Sequence, residues 1–393
     1  MKYRRFGRTE LQMPVFSCGG MRYQQHWQDE DWDKIDKANQ ENLENTILRS
    51  LEVGINHIET ARGYGSSERQ LGKILPTLPR EKMIIQTKVV PSDGKKFVEE
   101  FNTCMDRLRL DYVDLLSVHG INTAELLTLT LEKGGPLEQI RKLQAEGRVR
   151  HVGFSTHGPC SVIAEAAATG EFDYVNLHWY WINQSNWSAI LKARENDMGV
   201  FIISPNDKGG KLYAPTPKLT ELCAPLSPMA FNDLFCLLRE EVHTLSLGAS
   251  KPSDFDEHIK ALESLEVAPQ LVGDIEARLI AAMKEALGAE WLARWEEGIP
   301  EWDKIPGGVN VWEIVRLWNY AVAFDMIDFG KMRYNLLGNA DHWFPGENAS
   351  QMQAAEILRA VSASPFAERI PGILAIAHAM LSDRPVQRLS KSD

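Results

Sequence analysis

The sequence predicts an α/β fold, a (β/α)8 TIM barrel followed by a C-terminal all-helical extension, on three observations. Eight short runs rich in Val, Ile and Leu alternate with longer segments of helical period over about the first 270 residues. None is followed by a GxGxxG turn, the mark of a doubly wound dinucleotide-binding sheet. Strand-like runs then cease, and helical periodicity carries the remaining chain.

The strand candidates are PVFSCGG from residue 14, NHIETA from 56, MIIQTKV from 83, VDLLSVH from 113, VRHVGFST from 149, DYVNLHW from 173, GVFIISP from 199 and HTLSLGA from 243. Between them lie amphipathic segments such as 95–108, where Val98, Phe101, Met105 and Leu108 recur at helical spacing. A polar, acidic segment, RYQQHWQDEDWDKIDKANQEN, follows the first strand and is placed to wall a pocket at the strands' C-terminal side. Beyond the barrel, GDIEARLIAAMKEAL and VNVWEIVRLWNYAVAF read as helices, the second with Val311, Ile314, Val315, Trp318 and Val322 on one stripe. Pro300, Pro306, Gly307 and Gly308 separate the two, helices are expected at 350–362 and 365–383, and QRLSKSD closes the chain as a polar tail. The expected domains are therefore a barrel at 1–270 and a helical unit at 271–393. The segment RYNLLGNADHWFPGENA carries no recognisable chemistry and is expected to fold back on the barrel or to form a contact, so a protein partner for this unit stays open.

Composition narrows the function. With 44% hydrophobic and 25% charged residues the chain has the make-up of a globular protein. Its 43 Lys and Arg against 54 Asp and Glu leave a formal charge of -11, which argues against a general nucleic-acid surface. The five cysteines, Cys18, Cys104, Cys160, Cys223 and Cys236, are scattered without a CxxC pair, which argues against a disulfide framework or a cysteine-held metal and suits a reducing, cytoplasmic setting. No metal site is expected. The opening MKYRRFGRTELQ lacks an apolar core for a secretory signal, and GILAIAHAM is about half a bilayer span, so no membrane association is expected.

Polar side chains collect where the strands end. Glu59, Lys88, His119, Ser155 to His157, Asn176 with His178, and Ser204 all close apolar runs, and Tyr64 lies just past one. Singly, each is as readily a capped strand end or a hydrogen-bonded core group. In a parallel barrel those ends form one face, so Glu59, Tyr64, Lys88 and His119 are expected to converge there. Trp27, Trp32 and HWYW from His178 to Trp181 set aromatics near the same mouth, suited to an apolar or ring-bearing substrate.

These segments resemble the aldo-keto reductase family. KYRRFGRTELQMPVFSCGGM looks like its N-terminal hairpin and first strand, IETARGYGSSERQLG like its Asp-Thr-Ala…Tyr-Gly segment, QTKV like its lysine strand, GRVRHVGFST like its nicotinamide-binding serine segment and GASKPSDFDEHI like its adenosine-phosphate segment. The resemblance covers residues 1 to about 266 and implies a barrel opened by an N-terminal β-hairpin. It further implies an NAD(P)H-dependent reductase of aldehydes or ketones, with Tyr64 as general acid, Lys88 lowering its proton affinity, Glu59 holding Lys88 and His119 positioning the carbonyl oxygen. Glu59 departs from the family's Asp by one methylene, a displacement of about 1.5 Å.

The resemblance also implies cofactor positions. Ser155 and Asn176 would hold the nicotinamide carboxamide, Asn176 standing for the more frequent Gln. Ser204, Lys208 and Gly209 belong to the pyrophosphate segment, Ser250 and Lys251 would meet a 2′-phosphate, and Glu257 the adenine. Asp254 replaces Gln or Arg and His258 replaces Asn, and an anion beside a 2′-phosphate is repulsive, so NADPH is the expected cofactor with NADH as the alternative. Some similar family members carry a C-terminal ferredoxin-like unit; no cysteine follows Cys236 here, so no iron–sulfur cluster is expected. The competing reading is a nucleotide-sensing or scaffold barrel with little or no turnover.

Overall fold

The computed structural model describes residues 1–388; the last five residues of the polar tail at 387–393 lie outside them. Two short strands, β1 (Tyr3–Arg5) and β2 (Gln12–Pro14), pair antiparallel as a hairpin. Eight parallel strands follow: β3 (Phe16–Gly19), β4 (His57–Glu59), β5 (Ile84–Val89), β6 (Val113–His119), β7 (Val149–Ser155), β8 (Tyr174–Leu177), β9 (Gly199–Ile202) and β10 (Thr244–Leu247). They close into a barrel in chain order, with β10 pairing back onto β3. Each arises within one of the eight apolar runs, because a strand buried on both faces needs continuous rather than alternating apolar residues.

The helices follow the same alternation. Around the barrel run α1 (Lys37–Glu52), α2 (Ser67–Ile74), α3 (Gly94–Leu108), α4 (Ala124–Leu131), α5 (Pro136–Ala145), α6 (Cys160–Ala168) and α7 (Trp187–Glu195). Their starts are chemically marked: the Asp36 carboxylate accepts from Asn39 N at 3.0 Å to cap α1, and Asp93 does the same for Lys96 N at 3.0 Å in α3. Arg109 ends α3 in the left-handed region at φ 56°.

The hairpin has a packing role. Phe6 and Met13 join Ile84, Leu115, Tyr174 and Phe201 in one fully or nearly fully buried cluster that meets the early residues of β5, β6, β8 and β9, so the hairpin fills the N-terminal end of the barrel. Above it lies a layer of paired polar groups. Ser17 Oγ bonds His57 Nδ1 at 2.6 Å and Thr244 Oγ1 at 2.7 Å, and Ser117 Oγ bonds Gln86 Nε2 and Tyr174 OH at 2.9 Å each. Burial pushes His57 down to about 3, which keeps its imidazole neutral inside this layer. With the lower end filled, the strands' C-terminal side is left for a site.

The chain divides into two compact units, Met1–Gly209 with Asn232–Ala268, and Gly210–Phe231 with Pro269–Arg388. Three further helices sit at or near the divisions, α8 (Pro217–Cys223), α9 (Pro228–Leu237) and α10 (Asp256–Ala261), the first two within a stretch that carries no strand-like run. The second unit adds α11 (Ala268–Leu287), α12 (Ala289–Arg294), α13 (Val311–Phe324), α14 (Ile327–Tyr334), α15 (Ala354–Ala360) and α16 (Ile370–Leu381). On α13 the buried face differs from the predicted stripe. Val311, Ile314 and Val315 are buried together with Leu317, Ala321 and Phe324, whereas Trp318 and Val322 lie half-buried at its edge. A buried Glu313–Arg316 pair at 2.6 Å and a Trp291 Nε1 donation to Asn319 Oδ1 at 2.8 Å draw the helix round. The RYNLLGNADHWFPGENA segment is tied within its own unit: Asn310 N donates to Glu347 O at 3.0 Å and Glu347 N to Gly308 O at 2.8 Å. Among the described residues no helix is long and apolar enough to cross a membrane.

Candidate active site

Strand register fixes the site's floor. Lys88 lies opposite Ser117, and His119, Ser155 and Asn176 pair in one continuous row across β6, β7 and β8. Glu59 ends β4 and is buried, as is Lys88 near the end of β5. The Lys88 ammonium contacts the Glu59 carboxylate directly and donates to Thr60 O at 3.0 Å.

Tyr64 reaches this pair from the turn beyond β4. Its amide donates to Ala61 O at 3.0 Å, and Gly65 follows at φ 53°, a conformation disfavoured for residues with a Cβ. An added Cβ on Gly65 would fall 1.9 Å from His26 O, so only glycine lets the turn approach the loop after β3 this closely. The Tyr64 hydroxyl then lies 3.1 Å from Lys88 Nζ and 3.4 Å from a Glu59 carboxylate oxygen, with Lys88 Nζ also 4.6 Å from the ring centroid. His119 meets the ring edge-on at 5.8 Å, and Trp27 does so from the opposite loop at 6.4 Å. The four residues expected to converge are therefore brought together, Glu59 and Lys88 at the Tyr64 hydroxyl and His119 against its ring.

The extra methylene of Glu59 finds its room beside Gly19. A Cβ there would come 3.3 Å from a Glu59 carboxylate oxygen and 2.4 Å from Ser246 Oγ, so the longer acid is accommodated by a residue without a side chain. Electrostatically the pair is balanced. Burial pushes the Lys88 ammonium down from its ordinary range, and the carboxylate against it opposes that by favouring the charged form.

A second cluster lies along the rim. Asn176 is fully buried at the end of β8, and neither its Oδ1 nor its Nδ2 has a partner. A buried amide left unsatisfied costs about 1–3 kcal/mol. Such a group fits a ligand carboxamide, which offers both complementary atoms. Ser155 beside it accepts from Gly120 N at 3.2 Å. After β9, Ser204 takes φ 54° and accepts from Lys208 N at 3.0 Å, and a Cβ on Gly209 would strike Pro205 O at 1.9 Å. Lys208 Nζ lies 3.3 Å from His157 Nδ1 and 3.2 Å from His178 Nε2.

The last loop is arranged differently from its sequence expectation. The Asp254 carboxylate accepts from Ser250 N and Ser250 Oγ at 2.8 Å each and from Lys251 N at 3.3 Å. The Ser250 hydroxyl and the two backbone amides are thus turned onto the chain's own anion, while the Lys251 side chain is exposed. Glu257 stands exposed on α10, while His258 is buried and links Asp233 at 2.5 Å to Asn206 at 3.1 Å. Burial opposes protonation of His258, but the Asp233 carboxylate outweighs it and raises the imidazole's pKa.

Two aromatic expectations are corrected. Trp32 lies under Lys73 Nζ, 4.1 Å from the ring centroid, beside α2 rather than beside Tyr64. Trp179 and Trp181 are buried, Trp179 against Phe235 at 5.0 Å and Trp187 at 5.0 Å, so HWYW is chiefly packing. Sequence reading missed Arg62, two residues before Tyr64. It pairs with Asp29 at 2.5 Å, Glu68 at 3.1 Å and Glu100 at 3.2 Å, tying the turn to the loop after β3. Among the described residues no group of three or more His, Cys, Asp or Glu side chains is arranged to hold a metal ion.

Comparison with known proteins gives the family and the fold. A sequence model described as the aldo/keto reductase family matches residues 16–210. The chain is 28% identical over 187 residues to an NADH-specific methylglyoxal reductase of Escherichia coli, covering 42% of this chain but only 56% of that protein. It is 32% identical over 200 residues to the methylglyoxal reductase DkgA of Salmonella typhimurium, covering 45% of this chain and 70% of that one. With an L-galactose dehydrogenase of Arabidopsis thaliana it shares 26% identity over 270 residues, 60% of this chain and 83% of the other. Among solved structures, an aldo-keto reductase from Bacillus halodurans superposes with a TM-score of 0.58 at 21% identity, over 70% of this chain and 96% of that one, which speaks to the fold. With the barrel, its hairpin and these matches agreeing, the chain belongs to the aldo/keto reductase family.

Proposed function

We propose that the protein reduces the carbonyl group of a small aldehyde or ketone at the expense of a nicotinamide dinucleotide. The observation that carries this reading is the Tyr64 hydroxyl held 3.1 Å from a buried ammonium, with Glu59 behind it. The bound cofactor supplies hydride; this chain's residues supply the proton and the orientation. Tyr64 O–H gives its proton to the carbonyl oxygen, and the Lys88 ammonium stabilises the phenolate left behind. Glu59 keeps Lys88 charged in a site where burial opposes charge. His119, edge-on to the Tyr64 ring, orients the carbonyl oxygen.

Asn176, with Ser155 beside it, is suited to pair the carboxamide of the cofactor. Lys208 and Gly209 belong to the segment assigned to its pyrophosphate. The Asp254 carboxylate already takes the Ser250 hydroxyl and the Ser250 and Lys251 amides and would repel a 2′-phosphate, so NADH suits the loop better than NADPH. The relatives named as methylglyoxal reductases make a 2-oxoaldehyde the first substrate to try.

The test is a fluorescence titration with NADH and with NADPH, followed by methylglyoxal reduction in the wild type and Tyr64→Phe. Saturable binding, tighter for NADH, with turnover that Tyr64→Phe removes, supports the reading. Absence of binding to both at near-millimolar concentration overturns it. Saturable binding without turnover of any carbonyl would leave a nucleotide-sensing barrel.

A further inference from the structure

Outside the barrel mouth, a cleft of about 460 Å³ opens between the loop after β3 and the helices α2 and α3. Arg69, Lys73, Arg107 and Arg109 line it, with Asp106 as the one carboxylate among the lining residues and Trp32 at its edge. Its volume lies within the range of about 300–1,000 Å³ typical of small-molecule sites.

The positive charge here is undercompensated. Arg62, Arg69 and Arg107 all turn to the single carboxylate of Asp29. Arg62 has Glu68 and Glu100 besides, but among the described residues Arg69 adds only a 3.8 Å approach to the exposed Asp31, and Arg107 pairs with no second carboxylate. Lys73 and Arg109 form no ion pair among the described residues. Arg69 Nε and Arg107 Nη1 are buried donors without a partner.

Helix dipoles do not account for the arrangement. Lys73 and Arg109 lie at helix C-termini, where cations are favourable, but Arg69 stands in the first turn of α2, where a cation is not. The close packing that sets α2 against α3 is itself specific, since a Cβ on Gly72 would fall 1.8 Å from Arg107 O.

We propose that this cleft binds a phosphoryl oxyanion, independently of the reaction at Tyr64. A multivalent phosphate is the complement of a lining with four cations and one carboxylate, two of those cations, Lys73 and Arg109, forming no ion pair among the described residues. Lys73 covers the Trp32 face at 4.1 Å, which leaves little aromatic surface for a base and favours a phosphate without one. The source is either inorganic pyrophosphate or a sugar phosphate, and both present the same group.

Isothermal titration of the full chain with pyrophosphate, and separately with ribose 5-phosphate, at constant ionic strength set by sodium chloride, tests this. Saturable binding of either at one per chain is expected, the tighter of the two naming the source. The double variant K73Q/R109Q removes two cations that make no ion pair, and R69Q is a second, independent probe; each should weaken binding at least tenfold. K192Q, altering a lysine of α7 that is paired with Glu195, should leave it unchanged. No saturable binding below about ten millimolar, or affinity that survives K73Q/R109Q and R69Q, overturns the proposal.

Discussion

Glu59 with Lys88, and Asp29 with its arginines, solve opposite problems with the same chemistry. At the end of β4 one carboxylate meets one ammonium, both buried, and a single hydroxyl completes the set. On the outer side of α2, three guanidiniums share Asp29, partly exposed to water. Water explains why both persist. Inside the barrel an unmatched charge costs several kcal/mol, so charge must balance group by group; in the cleft, solvent tolerates an excess, and that excess remains available to a ligand.

The comparison can be broken most sharply at Tyr64. Tyr64→Phe should lower kcat for carbonyl reduction by about 100- to 10,000-fold, the usual share of a positioned general acid, while fluorescence titration finds NADH affinity unchanged. Next in size, Lys88→Met strands the Glu59 carboxylate in the core. Urea unfolding should show a loss of about 3–5 kcal/mol, the cost of breaking a buried pair from one side. If the loss is under about 1 kcal/mol, the barrel site is as forgiving as the cleft and the contrast fails.

Glu59→Asp is subtler. The room beside Gly19 suits the longer acid, so shortening it should draw the carboxylate away from Lys88 and lower kcat by up to about 100-fold. A rise in kcat instead would mean that Glu59 holds Lys88 too closely and that the shorter acid restores the working geometry. Smallest of all, Arg109→Gln should change unfolding free energy by no more than about 0.5 kcal/mol, as expected for a surface change. A larger loss would assign Arg109 to stability rather than to ligand binding.

The contrast also explains what the sequence discloses. Each barrel strand is visible because burial on both faces writes a continuous apolar run, and the convergence of Glu59, Lys88 and His119 follows from strand ends sharing one side. Asp29, Arg62 and Arg107 lie on a loop, a turn and a helix with no periodic relation, so tertiary proximity alone unites them. Trp27 and Trp32 are five residues apart in one polar loop, and nothing local tells that the first faces Tyr64 and the second Lys73. Asp254 shows the same limit: its charge is legible, but its use as an internal acceptor for Ser250 and Lys251 depends on a turn that composition does not specify. The short helices α8, α9, α12 and α14 fall in segments of too few turns for periodicity to mark.

The contact between Gly65 and His26 fixes where this protein can be lengthened. Ser66 N donates to His26 O at 3.0 Å and His26 N to Ser66 Oγ at 3.1 Å, so the turn bearing Tyr64 is clamped to one point of the loop. Insertions outside that clamp, toward the exposed Asp31 and Asp33, can vary freely in number while Tyr64 stays in place. A single added residue between His26 and Trp27, or any side chain at position 65, moves the aromatic wall and the proton donor together. Diversification of the pocket in descendants of this chain, natural or designed, is thereby channelled to one side of a single residue.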